Sequence, residues 1–415
     1  MVKNLIIDPN DEATFIPYGC QTVNESDITE VCSVLSSDWL TQGPKVTEFE
    51  RALCNKVGAK YATVVSSGTA ALHLVGLALG WQKGMVVLTT PLTFLASANC
   101  ILYAGATPDF VDIDPVSYTI DPNQLEAKIK LLRSQGKVIK AIVAVDYAGH
   151  PCDWEALKEI SDKYELQLVD DSSHALGATY KNKPQGSCKY ADVTIFSFHA
   201  VKHITTGEGG AVMSNDKALD ERIKLLRSHG ITKDATQMQK NDGPWYYEMK
   251  ELGFNYRITD FQCALGVNQL RRLDEFIEKR QFIATFYSKQ FSEFNLLILP
   301  NVSQDISHAW HLYPLQINIK STNIKEEDNE KLRLIKVELF QKLKEKNIGV
   351  QVHYFPVHLQ PYYRQKFSFK KGDFPLAESF YMREISIPIQ ASLKPEEMEY
   401  VAKHILEILS SICRT

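Results

Sequence analysis

No C-x-x-C pair occurs among the eight cysteines, which lie at 20, 32, 54, 100, 152, 188, 263 and 413. In a chain of 415 residues that scatter excludes a zinc-ribbon pattern, gives no disulfide framework and fits reduced thiols. Neither common nucleotide-phosphate fingerprint is present, G-x-G-x-x-G or G-x-x-x-x-G-K-[ST]. An excess of one charge is also missing, since 46 Lys and Arg against 50 Asp and Glu leave a net charge of −4. This excludes the basic footprint of a nucleic-acid binder and the polybasic segment of a membrane anchor. The most apolar run, TAALHLVGLALGW at 69–81, is too short to span a bilayer. The first fifteen residues, MVKNLIIDPNDEATF, carry acids and no apolar stretch of signal-peptide length. No internal repeat or low-complexity tract is evident. The expectation is a cytoplasmic protein that binds neither nucleic acid nor membrane.

What is present is ample core material, with 44% hydrophobic residues, arranged in alternating patterns. Val46, Phe49, Leu53 and Val57 recur at helical spacing behind a Gly-Pro start, predicting a helix over 44–57. Then come YATVVSS (strand), GTAALHLVGLALG (helix), VVLTT (strand) and TFLASANCILYAG (helix). TPDFVDID, AIVAVDY, QLVDD, DVTIFSF and GAVMSN read as further strands. Such alternation, with strands apolar on both faces, predicts an α/β fold with a mostly parallel sheet covered by helices. Ligands in such sheets sit beyond the carboxyl ends of the strands. The expected division is an N-terminal segment (1–30), a large domain (31–268) and a smaller α+β C-terminal domain (269–415). One long amphipathic helix over about 259–292 would join the last two, and the charged stretch 320–333 reads as a solvated insertion.

The segment FSFHAVKHITTGEGGAV (196–212) places Lys202 five residues after the strand-end Ser197, before a Gly-rich turn. A lysine at the mouth of a parallel sheet is a candidate amine nucleophile, because partial burial lowers its pKa. A surface lysine in a loop is the plain alternative. Upstream, QLVDDSSHA puts Asp170 and Asp171 at a strand end, about thirty residues before the lysine. They could be a helix cap and a first-turn acid; equally, pyridoxal phosphate chemistry needs a carboxylate at the pyridine nitrogen. VVSSGTAALHL (64–74) runs strand, turn, helix and offers free N–H groups and hydroxyls at a helix N-terminus, a phosphate cradle. Phe94, just after another strand, is placed either to stack on a cofactor ring or to fill the core.

In order, SSGTAALHL, TTPLTFLASAN, DDSSHALGA, FSFHAVKHITTGEGGAV and GFNYRITDFQCALGVNQL resemble the signature blocks of the DegT/DnrJ/StrS-type sugar aminotransferases. The resemblance runs from IPYG (16–19) to SIPIQASLKPEEMEYV. It implies a fold-type-I PLP-dependent transferase, pyridoxal 5'-phosphate as cofactor, and a nucleotide-sugar substrate with L-glutamate as amino donor. Within the family, DWLTQGPKVTEFE, the 89–115 block and GVQVHYFPVHLQPYY are similar to the branch serving pseudaminic-acid biosynthesis. That branch aminates C4 of a UDP-linked 4-keto-6-deoxy-N-acetylhexosamine. Relatives acting on dTDP- or GDP-linked sugars, and a non-catalytic protein on the same scaffold, are the alternatives.

Position by position, the resemblance implies that Lys202 bonds the cofactor and shuttles the proton to the sugar. Asp171 would hold the pyridine nitrogen, His174 would sit beside the ring, and Phe94 would stack on it. Gly68, Thr69 and Ser197 would bind the phosphate. Asn255 would reach the cofactor of the neighbouring subunit, implying a homodimer. Thr41, Arg257, His311, Tyr313, His353 and Tyr354 are the candidate substrate residues. The dehydrating branch of the family replaces the lysine by histidine, and Lys202 separates this chain from it.

Departures from the family pattern are few. Asp170-Asp171 stands for a usual Glu-Asp, Ser172-Ser173 for Ala-Ala, and His203 follows the lysine where proline is expected. His203 reads as an exposed loop histidine. The spacings His308/His311 and His353/His358 lack acidic or thiol neighbours in sequence, so no metal is expected. Tyr18, Trp39, Trp245, Trp310, Tyr362 and Tyr363 could line a uridine pocket, with core packing as the default for each.

Overall fold

The protein is described from a computed structural model, which covers residues 15–321 and 328–413. Seven strands form the central sheet: β1 (Tyr61–Val65), β2 (Met85–Thr89), β3 (Thr107–Phe110), β4 (Val138–Val145), β5 (Gln167–Asp171), β6 (Val193–Ser197) and β7 (Gly210–Ser214). Their order is β1-β7-β6-β5-β4-β2-β3. Only β7 runs against its neighbours, pairing antiparallel with β1 and β6. The other six therefore point the same way and deliver their carboxyl ends to one edge. Their residues are buried almost throughout, as strands covered on both faces require. All seven coincide with the apolar runs legible in the sequence.

The helices follow in chain order. They are α1 (Glu25–Leu35), α2 (Pro44–Val57), α3 (Gly68–Ala78), α4 (Leu95–Tyr103), α5 (Pro122–Ser134), α6 (Trp154–Tyr164) and α7 (Lys217–Arg227). The later ones are α8 (Asp260–Arg271), α9 (Leu273–Phe291), α10 (Asn329–Glu345), α11 (Pro361–Phe367), α12 (Pro375–Arg383) and α13 (Pro395–Ile412). α2 starts at Pro44 behind Gly43 and stops at Gly58, whose φ of 81° closes it in a left-handed cap. α3 is apolar all round and buried along nearly its whole length, being packed between β-strands and α4.

The helix expected over 259–292 is two helices. Arg272 (φ −102°, ψ 5°) leaves the helical path, pairs with Asp27 on α1 and lies 4.9 Å over the Phe276 ring. A one-residue break leaves the amphipathic pattern intact on both sides, which is why the sequence reads as continuous. α9 then bridges two cores. Leu273 and Phe276 pack with α2 and β1, whereas Ile283, Tyr287 and Phe291 pack with the C-terminal strands.

Three antiparallel strands complete the C-terminal part, β8 (Leu297–Ile298), β9 (Tyr313–Ile317) and β10 (Glu384–Ile387), in that order. α10 and α13 cover them around Leu339, Leu343, Val401 and Ile405. Ile16 joins this core through a bridge to Ile348, while α1 lies on α8. The segment from Val357 to Phe380 instead packs on the large sheet's periphery, beside Leu92, Phe110 and Tyr147. In the charged stretch, 322–327 lie outside the described residues. Asp328 caps α10, and Glu330 pairs with Arg333 on its first turns.

Candidate active site

The common carboxyl edge of the sheet, the α3 and α4 N-termini and the segments 309–312 and 351–354 enclose a cavity of about 390 Å³. Ten of the fourteen site residues expected from sequence line it: Lys202, Gly68, Thr69, Phe94, Asp171, His174, Ser197, His311, His353 and Tyr354.

Its floor is built by the β1–α3 turn. Ser67 caps α3, its Oγ accepting the Ala70 N–H at 3.0 Å, and the first N–H groups of the helix have no intrahelical partner. Two glycines let three chain segments converge here. A Cβ on Gly68 would stand 3.0 Å from Ser197 Cβ, and one on Gly210 only 2.6 Å from the Ser67 carbonyl carbon and oxygen. Neither glycine has room for a side chain, so the Ser197 hydroxyl is drawn close to the α3 N-terminus, and both line the cavity, a combination suited to a phosphate.

Asp170 and Asp171 end β5 side by side and face opposite ways. Asp171 lines the cavity and is 4% exposed; its Oδ2 accepts from Ser97 Oγ at 2.6 Å, and its Oδ1 from Ser173 Oγ at 2.6 Å. Asp170 is turned to Thr194 and the buried Asp146, and burial raises the pKa of both. Asp171 is therefore the acid available to a ligand. Ser97 had no role in the sequence reading. Its position three residues after Phe94, one turn into α4, is the signal that could have found it.

Lys202 lies in the loop between β6 and β7, where its N–H donates to His199 O at 2.9 Å. Its Nζ stands 3.5 Å from His311 Nε2. Burial lowers its pKa to about 8, with Asp171 pulling upward and Arg280 adding to the fall. A substantial share of free amine is thus present near neutral pH. His311 packs against His174 with ring centroids 4.3 Å apart. The Tyr354 hydroxyl is 3.2 Å from His174 Nε2, and the Ala148 N–H donates to His174 Nδ1 at 3.3 Å. Burial and the Lys202 charge hold His174, His311 and His353 below the ordinary histidine value, so all three are neutral. Phe94, the residue before α4, is 57% exposed and presents an uncovered ring at the cavity rim.

Four expected residues lie elsewhere. Tyr313 is fully buried on β9, stacked on Trp310 and edge-on to Tyr287, with its hydroxyl 2.9 Å from Ser288 Oγ. Every residue of that strand faces packed material, so it has no side open to a ligand. Asn255 and Thr41 are exposed and Arg257 is half-buried, all outside this cavity. Asn255 bridges to Ser228 and Thr41 to Thr259. His203 is buried, not exposed: its Nε2 is 3.0 Å from Ala309 O, tying the lysine loop to the 309–312 segment. Of the six aromatics weighed for a uridine pocket, Tyr18 alone lines the cavity. Trp310 stacks on His308, and Tyr363 is buried with its hydroxyl donating to Asn99 at 2.7 Å. Trp39, Trp245 and Tyr362 are exposed, and His358 pairs with Glu378.

A buried acid, a lysine of lowered pKa, a helix N-terminus beside a serine hydroxyl and an open aromatic face thus meet in one cavity. Residues 21–406 match the DegT/DnrJ/EryC1/StrS aminotransferase family. The chain belongs to that family. It is 41% identical over 399 residues to the UDP-4-amino-4,6-dideoxy-N-acetyl-beta-L-altrosamine transaminase of Campylobacter jejuni, covering 96% of this chain and 98% of the relative. The spore coat polysaccharide biosynthesis protein SpsC of Bacillus subtilis is 39% identical, over 95% and 97% of the two chains. PseC of Helicobacter pylori, an aminotransferase involved in the biosynthesis of pseudoaminic acid, superposes with a TM-score of 0.84 at 34% identity, over 96% and 100%. This family member is a fold-type-I aminotransferase that works with pyridoxal 5'-phosphate. The cavity's donor set fits that group: the glycine-lined cradle for phosphate, Asp171 for a ring nitrogen, Phe94 for a ring face and Lys202 for the aldehyde.

Proposed function

We propose that the enzyme transfers the amino group of L-glutamate to C4 of a UDP-linked 4-keto-6-deoxy-N-acetylhexosamine. The observation that carries this reading is the 41% identity, along nearly the whole chain, to a transaminase named for the corresponding product. When bound, pyridoxal phosphate supplies the electron sink and holds the amino group between donor and acceptor.

The chain's residues do the rest. The α3 N-terminus with Gly68, Thr69 and Ser197 would hold the phosphate. Asp171, held by two serine hydroxyls, would keep the pyridine nitrogen protonated. Phe94 would cover the ring, with neutral His174 beside it. Lys202, able to exist as amine or ammonium near neutral pH, takes and returns the proton at the substrate carbon. His311, His353 and Tyr354 bound the space left for sugar or glutamate.

Asn255, Thr41 and Arg257 complete the site from a neighbouring subunit in this reading. Asn255 and Thr41 are exposed and all three lie outside their own cavity, and Trp245, Met249 and Leu252 leave exposed apolar surface in the same part of the chain. A cytoplasmic location accords with eight unpaired cysteines and with no described helix being long and apolar enough to cross a membrane. In this reading the chain divides at about residue 268, and the cavity draws on both sides of that division, Lys202 and Asp171 from one and His311 and His353 from the other.

Amine transfer from glutamate to a panel of UDP- and dTDP-linked 4-keto-6-deoxy sugars tests the substrate. The UDP-linked N-acetylated sugar is the expected acceptor. Amination of dTDP sugars lacking the N-acetyl group, and of no other, would contradict the reading.

A further inference from the structure

His353 is held at three points by residues that do not touch the cavity. Its N–H donates to Glu384 Oε2 at 2.9 Å, and its carbonyl accepts the Tyr147 hydroxyl at 2.5 Å. Its Nδ1 lies 2.9 Å from Ser386 Oγ. Ser386 Oγ in turn donates to Glu384 Oε1 at 2.5 Å. Glu384 and Ser386 are both fully buried on β10, and the bridge between Gln351 and Ser386 sets their register to the 351–354 segment.

The direction of these bonds follows from the donors available. A carboxylate only accepts, so the Ser386 proton is committed to Glu384. The serine oxygen must then accept, and His353 Nδ1 must carry the hydrogen. In a neutral imidazole the other nitrogen is left as an acceptor. That nitrogen, Nε2, has no hydrogen bond to the described residues, and His353 lines the cavity.

We propose that Glu384 and Ser386 are positioning residues that fix His353 as its Nδ1–H tautomer, so that Nε2 offers an acceptor to a hydroxyl or amide N–H of the sugar. The substrate half of this rests on the sugar aminotransferase reading above; the tautomer half does not. Neutrality of the ring is supported by burial and the Lys202 charge, which push its value down to about 3. Burial pushes Glu384 up to about 7, with Lys336 pulling against it, so the relay in this direction belongs to the ionised form above that pH.

Glu384→Gln tests the relay without changing shape. The amide oxygen must face the His353 N–H, which needs an acceptor, so the amide NH2 faces Ser386 Oγ and donates to it. The serine proton is then released toward His353 Nδ1, and the hydrogen moves to Nε2. Long-range proton–nitrogen NMR on ¹⁵N-histidine holoenzyme, at about pH 8.5 where Glu384 is ionised, reads the tautomer directly. The His353→Gln spectrum assigns the signal.

Wild type should show Nδ1–H, and Glu384→Gln should show Nε2–H. KM for the sugar should rise about tenfold, the scale of one lost hydrogen bond, with kcat within about threefold. Ser386→Ala, which only removes the acceptor, should give mixed tautomers and a smaller rise. An unchanged tautomer in both variants would overturn the relay. A reversed tautomer with unchanged KM would overturn the contact to sugar. If the tautomer reverses but no sugar of the panel is aminated, the substrate reading falls and the relay stands.

Discussion

Lys202 Nζ and His311 Nε2 stand 3.5 Å apart, in a pocket where the lysine's ordinary value of 10.5 falls to about 8. The free amine is the nucleophile, and its population grows as pH rises through the depressed value. Loading of cofactor-free enzyme with pyridoxal phosphate should therefore accelerate with a midpoint near pH 8. Stopped-flow absorbance measures it. A midpoint near 10.5 would show that the pocket does not depress this lysine.

Two neighbours act on that midpoint in opposite directions. Asp171 raises the lysine's value and Arg280 lowers it. Asp171→Asn should move the loading midpoint down and Arg280→Met should move it up. Asp171→Asn keeps an acceptor for only one of Ser97 and Ser173, an amide NH2 replacing the other oxygen, and loses the charge at the pyridine nitrogen. Its kcat should fall roughly 100-fold or more. Arg280 is buried and donates to the carbonyls of Trp310, His311 and Ile389. Its loss should also cost about 1.5–3 kcal/mol of stability, read by denaturant unfolding of the cofactor-free protein.

Gly210→Ala tests the cradle. The new Cβ would meet the Ser67 carbonyl at 2.6 Å, a backbone contact that cannot turn aside. Displacing the α3 N-terminus should weaken cofactor affinity at least about tenfold, and overpacking should cost about 1–3 kcal/mol. Equilibrium titration and thermal unfolding separate the two effects.

These three tests rest on residues of unequal legibility. Asp171 and Gly68 could be read from the sequence because one ends a strand and the other opens a helix, and Lys202 because it closely follows a strand end before a Gly-rich turn, positions marked by local pattern. Arg280, Glu384 and Ser386 could not. They act through contacts between segments far apart in the chain, and nothing nearby distinguishes them from ordinary helix or strand residues. Tyr313 was misplaced for the same reason, since a strand buried on both faces carries no alternation to show which side meets a ligand. His203 looked like a loop residue because its partner, the Ala309 carbonyl, is over a hundred positions away. The break at Arg272 was hidden by a helical period that resumes after one residue.

The in-trans role of Asn255 has a mixing test. Lys202→Ala and Asn255→Ala proteins should each be strongly impaired alone. In a mixed dimer, one site receives Lys202 from one subunit and Asn255 from the other. Random reassembly of equal amounts should therefore restore about a quarter of the sites. No recovery in dimers shown to have exchanged would argue that Asn255 serves its own subunit or none.

The most direct test of the account is the identity of the lysine that carries the cofactor. Borohydride reduction of the loaded enzyme, followed by digestion and mass spectrometry, fixes the adduct to one peptide. The adduct is expected on Lys202 alone, and Lys202→Ala should have neither adduct nor amine transfer. An adduct on another lysine, or turnover by Lys202→Ala, would contradict it.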